Sequence, residues 1–355
     1  MNINWKELFP SRISVVIFIL YMVLFVAQGI LITASQNDDN SYEYNTVTVV
    51  LASEGLKLII SCLLFFKNHN ASSLCVNLVN ETKLLFLYLI PALLYCIYNN
   101  LAFLNLSTFD PTTYFILLQL RVVFTGILFQ IIFNRKLTKL QWFSLVVLTI
   151  GCMIRHINLS DPKSTIESKN NISHDSFSMK GFGLIIIQTL CSCFAGVYNE
   201  YLLKKKGKDT DIYLQNIYMY IDSLACNILL LFIQGDFFSA FDIKSIKQIL
   251  QLNVLIIICN NCAIGIVTSF FLKHMNSILK TFASALELTF TAVLSYFFLK
   301  IPLNLSAVIS IIIVCFAIYF YSKSPVTSNS TILPIHSRSN YNISVNQKLL
   351  SSDDN

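Results

Sequence analysis

Phe124-Thr125-Gly126-Ile127-Leu128 returns 166 residues later as Phe290-Thr291-Ala292-Val293-Leu294. At the same offset Leu137 meets Leu303, Leu145 meets Ile311 and Arg121 meets Glu287. Each copy runs from one apolar stretch, through a short polar turn, into a second apolar stretch. The two copies therefore read as the same element of an internal repeat.

Working outward from them, a membrane-crossing helix needs about 20 predominantly apolar residues. Ten segments qualify: 13–34, 46–66, 84–104, 112–133, 140–156, 183–203, 212–234, 249–271, 278–299 and 303–321. The fifth is the shortest and borrows Gln141 and Trp142 as an interfacial start. Five segments precede a polar stretch at 157–180 and five follow it. Repeats of an odd number of spans must lie in the membrane in opposite orientations. The expected fold is an all-α membrane protein of ten transmembrane helices, arranged as two inverted five-helix repeats. Residues 1–156 form the first repeat and 181–321 the second. Such repeats place a substrate site near the bilayer midplane, between the halves.

Composition agrees. Apolar residues make up 55% of the 355-residue chain and charged residues only 12%, about half the charged share of an ordinary soluble domain, which is about 25%. That excludes a soluble enzyme. A net charge of +6, scattered along the chain, excludes a nucleic-acid binder. Nine of the ten cysteines lie in apolar runs, where a thiol behaves as a small hydrophobe, not as part of a disulfide framework. Cys191-x-Cys193 and Cys259-x-x-Cys262 read as packing residues and not as metal ligands. The first segment has no small-residue cleavage site after it and reads as a retained helix. Residues 322–355 are polar, rich in Ser and Asn, and read as a disordered tail. Leu349-Leu350, ahead of Ser351, has the form of a sorting signal.

Lys and Arg counts set the orientation. With the N-terminus in the cytosol, the cytosolic pieces carry sixteen and the opposite side seven. Both termini are then cytosolic and 157–180 is a luminal loop, where Asn158-Leu159-Ser160 and Asn171-Ile172-Ser173 are glycosylation triplets.

Each ionisable group inside a span costs several kcal/mol, so it normally faces a cavity or a partner. The chain has Glu54 and Lys57 in the second span, Arg121 in the fourth, Glu200 in the sixth, Asp222 in the seventh, and Lys280 and Glu287 in the ninth. Glu54 and Lys57 are three apart and can pair. Arg121 has no acid within four residues. Its planar fork matches phosphate oxygens, and a cross-repeat ion pair with Glu287 is the rival reading. Tyr95, Tyr98, Asn99 and Asn100 end the third span, with Tyr114 and Gln119 opposite. Gln215, Asn216, Tyr218, Tyr220 and Asp222 line the seventh, and Asn260, Asn261, Thr268 and Ser269 the eighth. Tyrosine offers a stacking face with a hydroxyl, and asparagine offers donor and acceptor to a base edge. With Arg121 and Lys280 this describes a site for something anionic, flat and hydroxyl-rich. No H-E-x-x-H, G-x-S-x-G or phosphate-cradling glycine loop is present.

Several strings then match a known family in order: Asn99-Asn100-Leu101-Ala102-Phe103-Leu104, Gln119-Leu120-Arg121, Asn134 to Trp142, Cys191 to Glu200, Gln215 to Tyr220, and Thr268 to Lys273 with Lys280 beyond. Over about residues 13–321 the chain resembles the nucleotide-sugar transporters of the CMP-sialic acid and UDP-galactose type, in the drug/metabolite transporter superfamily. The resemblance implies Golgi or ER membrane transport that exchanges a cytosolic pyrimidine nucleotide sugar for a luminal nucleoside monophosphate. It implies no enzymatic activity, no metal and no cofactor. Its partners are the two nucleotides and membrane lipid, with a homodimer as the assembly considered. By motif, Tyr95, Asn99, Tyr114 and Arg121 fall on one side of the nucleotide. Ser192, Gly196, Asn216, Tyr220, Ser269 and Lys280 fall on the other. Glu54 and Lys57 match a family Glu-x-x-Lys. Arg121 stands where the family usually has lysine, Asp222 where the sialic-acid type has serine, Asn276-Ser277 where the family has Asp-Asn, and Tyr201 where it has lysine. These departures bear on substrate preference, with a UDP-sugar favoured over a CMP-sugar. The alternative is a metabolite exporter of the same superfamily with a non-nucleotide substrate.

Overall fold

The structure, a computed structural model, describes residues 8–35, 46–108, 111–156, 179–235, 241–242, 247–299 and 305–324. Most of the expected luminal loop with both glycosylation triplets, and all of the tail beyond Ser324, lie outside the described residues. What is described is helical, without a strand among the described residues.

The helices are α1 (Arg12–Ala34), α2 (Thr46–Phe66), the short α3 (Ala71–Asn80), α4 (Thr82–Thr108), α5 (Pro111–Leu118), α6 (Arg121–Phe133), α7 (Lys139–Arg155), α8 (Met179–Tyr201), α9 (Ile212–Gln234), α10 (Leu252–His274), α11 (Ser277–Leu299) and α12 (Leu305–Lys323). Among the described residues, nine segments are long and apolar enough to cross a membrane, with α5 and α6 counted as one. The remaining long helix, α7, has 17 residues. At about 1.5 Å per residue it rises roughly 26 Å, slightly less than a hydrocarbon core of about 30 Å. Large apolar side chains such as Val16, Ile19, Val23, Leu63, Phe86, Ile131 and Ile312 are exposed. Polar side chains such as Gln188, Thr189, Gln215 and Ser144 are fully buried. An interior that admits polar side chains beneath an exterior of large apolar ones is the pattern a lipid solvent selects, because polar groups cannot be satisfied by the lipid.

Local chemistry sets the boundaries. Asn134 ends α6 in the left-handed conformation, φ 52°, which asparagine tolerates better than most residues. Gln130 Oε1 then accepts from Leu137 N at 2.7 Å, bracing the turn. Thr138 and Gln141 close a reciprocal capping box at the start of α7. The sixth segment ends in a π-turn, Leu202–Lys206.

The fourth segment departs from a single helix. It breaks at Gln119-Leu120, between α5 and α6, where Gln119 N and Leu120 N donate three residues back, to Ile116 O and Leu117 O, at 3.1 Å each. Phe115 O, which a continuous helix would bond to Gln119 N, instead accepts from Gln119 Nε2 at 3.2 Å. A glutamine side chain replaces the backbone bond lost at the break.

The principal helix pairs are α7 with α12, α4 with α8, α4 with α9, α2 with α9, α1 with α10, α2 with α10, α6 with α8 and α1 with α11. Their direction can be read from contacts. Gln141 Nε2 at the start of α7 donates to Ser324 O just beyond the end of α12, at 2.9 Å. Ser310 Oγ, near the start of α12, donates to Gly151 O near the end of α7, at 2.7 Å. These two helices are antiparallel. Asn105 with Gln188 and Tyr95 with Gly196 make α4 and α8 antiparallel. Gln28 with Asn261 and Tyr21 with Phe271 do the same for α1 and α10. Leu51 with Leu231 and Phe65 with Leu214 do so for α2 and α9.

Candidate functional site

Arg121 opens α6 directly after the helix break. Its carbonyl is held by Thr125 Oγ1 at 2.7 Å and by Cys193 Sγ at 3.2 Å, which fixes the residue between α6 and α8. Its guanidinium makes no ion pair among the described residues; the pairs found are Lys57–Glu54, His69–Asp211 and Lys204–Glu200. Its charge nonetheless acts on Lys280 and Glu287 of α11, on Tyr114 of α5 and on Tyr21 of α1. The suspected contact pair with Glu287 is therefore not formed, although the two charges share one region. Lys280, Ser284 and Glu287 follow one another at helical spacing along one face of α11.

Tyr114 is buried and accepts from Gln188 Nε2 at 2.8 Å; Gln188 Oε1 in turn accepts from Asn105 Nδ2 at 2.7 Å. Tyr95 joins the same region, with its hydroxyl 3.7 Å from where a Cβ on Gly196 would stand. A Cβ at 196 would make an ordinary van der Waals contact with that hydroxyl. Four of the sequence-derived residues, Tyr95, Tyr114, Arg121 and Lys280, thus gather around one point, with Gly196 beside them.

A second group forms where α2, α9 and α10 meet. Lys57 Nζ bonds Glu54 Oε1 at 2.7 Å and lies 5.8 Å from the centroid of the Tyr220 ring. Gly265 lets the lysine stem cross α10: a Cβ there would come within 2.6 Å of Lys57 Cε. The Tyr220 hydroxyl is buried, faces Ser269 and Glu54, and completes no hydrogen bond. Asn216, one turn earlier on α9, is buried with its Nδ2 unpartnered. An unmade buried hydrogen bond costs about 1–3 kcal/mol. Two such groups on one stripe, next to a lysine, form a surface waiting for a polar ligand.

Other sequence-derived residues stand apart. Asp222 belongs to the opposite stripe of α9, with Tyr218 and Cys226 towards α4, and its Oδ2 is buried and unpartnered. It forms no ion pair with Lys280. Asn99 is exposed and Ser192 half-buried. Asn260 donates to Leu24 O at 3.1 Å, and Asn261 accepts from Gln28 Nε2 at 3.0 Å. Both fasten α10 to α1 instead of lining a site. Gln215 is likewise committed, accepting from Tyr88 and donating to Gly207 O and Thr210 O.

The residue that sequence reasoning missed is Tyr21. It is 1% exposed, its ring packs on Phe25 and Phe271 at 4.3 and 4.6 Å, and its hydroxyl completes no hydrogen bond. Around that hydroxyl stand Ser284, Glu287, Arg121 and Tyr95. A tyrosine in an otherwise apolar first span was the available signal.

The first group thus has two cations, Arg121 and Lys280, without an ion pair among the described residues, and the second has unpartnered amide and hydroxyl groups at Asn216 and Tyr220. Among curated proteins, the UDP-galactose transporter senju of Drosophila melanogaster is 51% identical over 94% of this chain and 92% of its own. The CMP-sialic acid transporter 1 of Oryza sativa subsp. japonica is 31% identical over 90% and 98%. A crystal structure with 9% identity superposes at a TM-score of 0.58 over 88% of this chain and 97% of its own, a likeness of fold alone. The family model described as nucleotide-sugar transporter matches residues 11–322. With that match spanning every helix around Arg121, the chain belongs to the nucleotide-sugar transporter family.

Proposed function

We propose that this protein exchanges a cytosolic pyrimidine nucleotide sugar for a luminal nucleoside monophosphate across the Golgi membrane, by alternating access between inverted repeats at 1–156 and 181–321. Both termini are cytosolic and 157–180 is luminal. The observation that carries the reading is Arg121: a guanidinium inside the bundle, at the head of a broken helix, with Lys280 nearby and no acid in contact. Broken helices at the middle of inverted-repeat transporters bind substrate, and an arginine fork fits phosphate.

The repeat is supported by the pairing of helices. Exchanging each of the ten segments for the one five places on turns α4 with α8 into α10 with α1, α4 with α9 into α10 with α2, and α6 with α8 into α11 with α1. It returns α2 with α9 and α7 with α12 to themselves. All of these are principal contacts. The two self-paired sets are antiparallel, as an axis in the membrane plane requires.

Arg121, Lys280, Tyr95 and Tyr114 hold the phosphates and one face of the nucleoside. Gly196 gives room beside Tyr95. Asn216, Tyr220 and Ser269 read the base, with Glu54 and Lys57 behind them. Asn99 and Ser192 border the entrance, and Asp222 acts from the α4 side. A UDP-sugar is the favoured cargo, since the relative at 51% identity is a UDP-galactose transporter; CMP-sialic acid is the cargo of the relative at 31%. Proteoliposomes preloaded with UMP or CMP and offered labelled UDP-galactose, UDP-N-acetylglucosamine and CMP-sialic acid test this. Uptake of a UDP-sugar stimulated by internal UMP is expected. No uptake of any nucleotide sugar under either preload overturns it.

A further inference from the structure

We propose that Tyr21, Ser284 and Glu287 form the subsite that reads the sugar hydroxyls, set against the phosphate-binding cation Arg121. This rests on the nucleotide-sugar reading and adds where specificity for the sugar resides.

A carboxylate in a membrane interior needs a cation or a hydrogen-bond donor. Glu287 has neither in contact: it makes no ion pair and no side-chain hydrogen bond among the described residues, although the Arg121 charge acts on it. The hydroxyl nearest in role, that of Tyr21, is buried, unpartnered and aimed at Glu287, Ser284 and Arg121. Ser284 and Glu287 are three residues apart on α11 and share a face. The group is therefore one cation beside a carboxylate, with the Tyr21 hydroxyl facing that of Ser284; Arg121 and Glu287 make no ion pair among the described residues.

A bare phosphate engages Arg121 alone and offers no donor to Glu287. A base is flat and offers few donors. A hexose joined to a diphosphate does complement the group: the phosphates meet Arg121, and the adjoining ring presents several hydroxyls. A carboxylate accepts from two of these at once, while Tyr21 and Ser284 donate or accept as the ring requires. A nucleoside monophosphate lacks the sugar and leaves Glu287 unengaged. The same bundle can then hold both exchanged partners through Arg121 and distinguish them through Glu287.

The test uses the full-length protein in detergent, with thermal stabilisation by UMP, CMP, UDP-galactose and UDP-N-acetylglucosamine as the readout, followed by exchange in proteoliposomes. Glu287→Gln keeps the shape and loses the charge; Tyr21→Phe removes only the hydroxyl. Both are expected to weaken UDP-sugar binding about tenfold or more, the scale on which a site built for a hydroxyl responds to its loss. UMP binding should stay within about twofold of wild type. Glu287→Gln is also expected to change the ratio of UDP-galactose to UDP-N-acetylglucosamine uptake. Equal loss of UMP and UDP-sugar binding, or no loss of either in a folded variant, overturns the subsite. Should Glu287→Gln fail to fold, Tyr21→Phe decides by the same comparison. A wild-type protein stabilised by none of the four overturns the nucleotide reading itself, and the subsite with it.

Discussion

At the residue scale, the two readings of Arg121, phosphate ligand and counter-ion of Glu287, differ measurably. The arginine's backbone is held by Thr125 and Cys193, and it makes no ion pair among the described residues, which leaves its fork open to the phosphate proposed above. Charge-assisted hydrogen bonds contribute about 1.5–3 kcal/mol each, and about 1.4 kcal/mol is a factor of ten. Arg121→Ala is therefore expected to weaken UMP and UDP-sugar binding by at least about tenfold, and Arg121→Lys to keep part of it as a point charge without the fork. The double change with Glu287→Ala discriminates. A folded double variant blind to UMP supports phosphate binding; one that binds UMP as wild type does identifies the arginine as a mere counter-ion. Sequence could find Arg121, Lys280 and Glu287 because a charge in an apolar run is conspicuous. It could not show whether Arg121 and Glu287 touch, since that depends on the spacing of α6 and α11. Nor could it find Tyr21, whose ring is an ordinary core aromatic and whose hydroxyl matters only because α4, α6 and α11 converge on it. The hydrogen bonds of Asn260 and Asn261 were out of reach for a similar reason: their partners, Leu24 O and Gln28, lie 236 and 233 residues away.

At the element scale, the fragment from the end of α8 to the start of α11 is tied by one carboxylate. Glu200, 1% exposed, accepts from Lys204 Nζ and from Ser277 N at 2.7 Å each, while Lys204 also donates to Met275 O. The π-turn Leu202–Lys206 lies within this tie. Ser277 N is an orphan donor at a helix start, and Glu200 both caps it and places negative charge at the positive end of α11. Removing one member of a buried pair costs about 3–5 kcal/mol. Glu200→Ala is expected to lower the melting temperature clearly, and the double variant with Lys204→Ala to lose less than the sum of the two single changes. Melting of Glu200→Ala like wild type would remove the tie from the account. The existence and order of the long helices were legible in the sequence because a 20-residue apolar run has few alternatives. The break at Gln119-Leu120 was not, because neither glycine nor proline marks it and the glutamine that repairs it looks like any polar residue in a span.

At the scale of the whole molecule, the 166-residue likeness predicts opposite orientations for the two halves, and the antiparallel pairing of α2 with α9 and of α7 with α12 is what that arrangement requires. The pairing itself could not be read from the sequence, since apolar faces carry no address. Direction relative to the membrane is a separate question, and the orientation proposed above rests on the basic loops: Lys204, Lys205, Lys206 and Lys208 lie between α8 and α9, and loops rich in Lys and Arg favour the cytosolic side. Crossing α9, α10, α11 and α12 from there brings the tail to the same side, whereas crossing α8 alone brings 157–180 to the other. The chain carries its own probe of this, because Cys75 on α3, between α2 and α4, is exposed and free. Four crossings counted back (α8, α7, α5–α6 and α4) place α3 with the basic loop; were the short α7 to lie on the surface, only three would remain and the first half would turn over. In sealed Golgi vesicles with the cytosolic face outward, a membrane-impermeant maleimide is expected to label Cys75 and a cysteine placed at Ser337. A cysteine placed at Ser168 should react only after detergent, with Cys75→Ser as the background. Labelling of the Ser337 cysteine without Cys75 would mean that α7 does not cross, leaving nine spans and no inverted repeat. Labelling of the Ser168 cysteine alone would reverse the whole molecule.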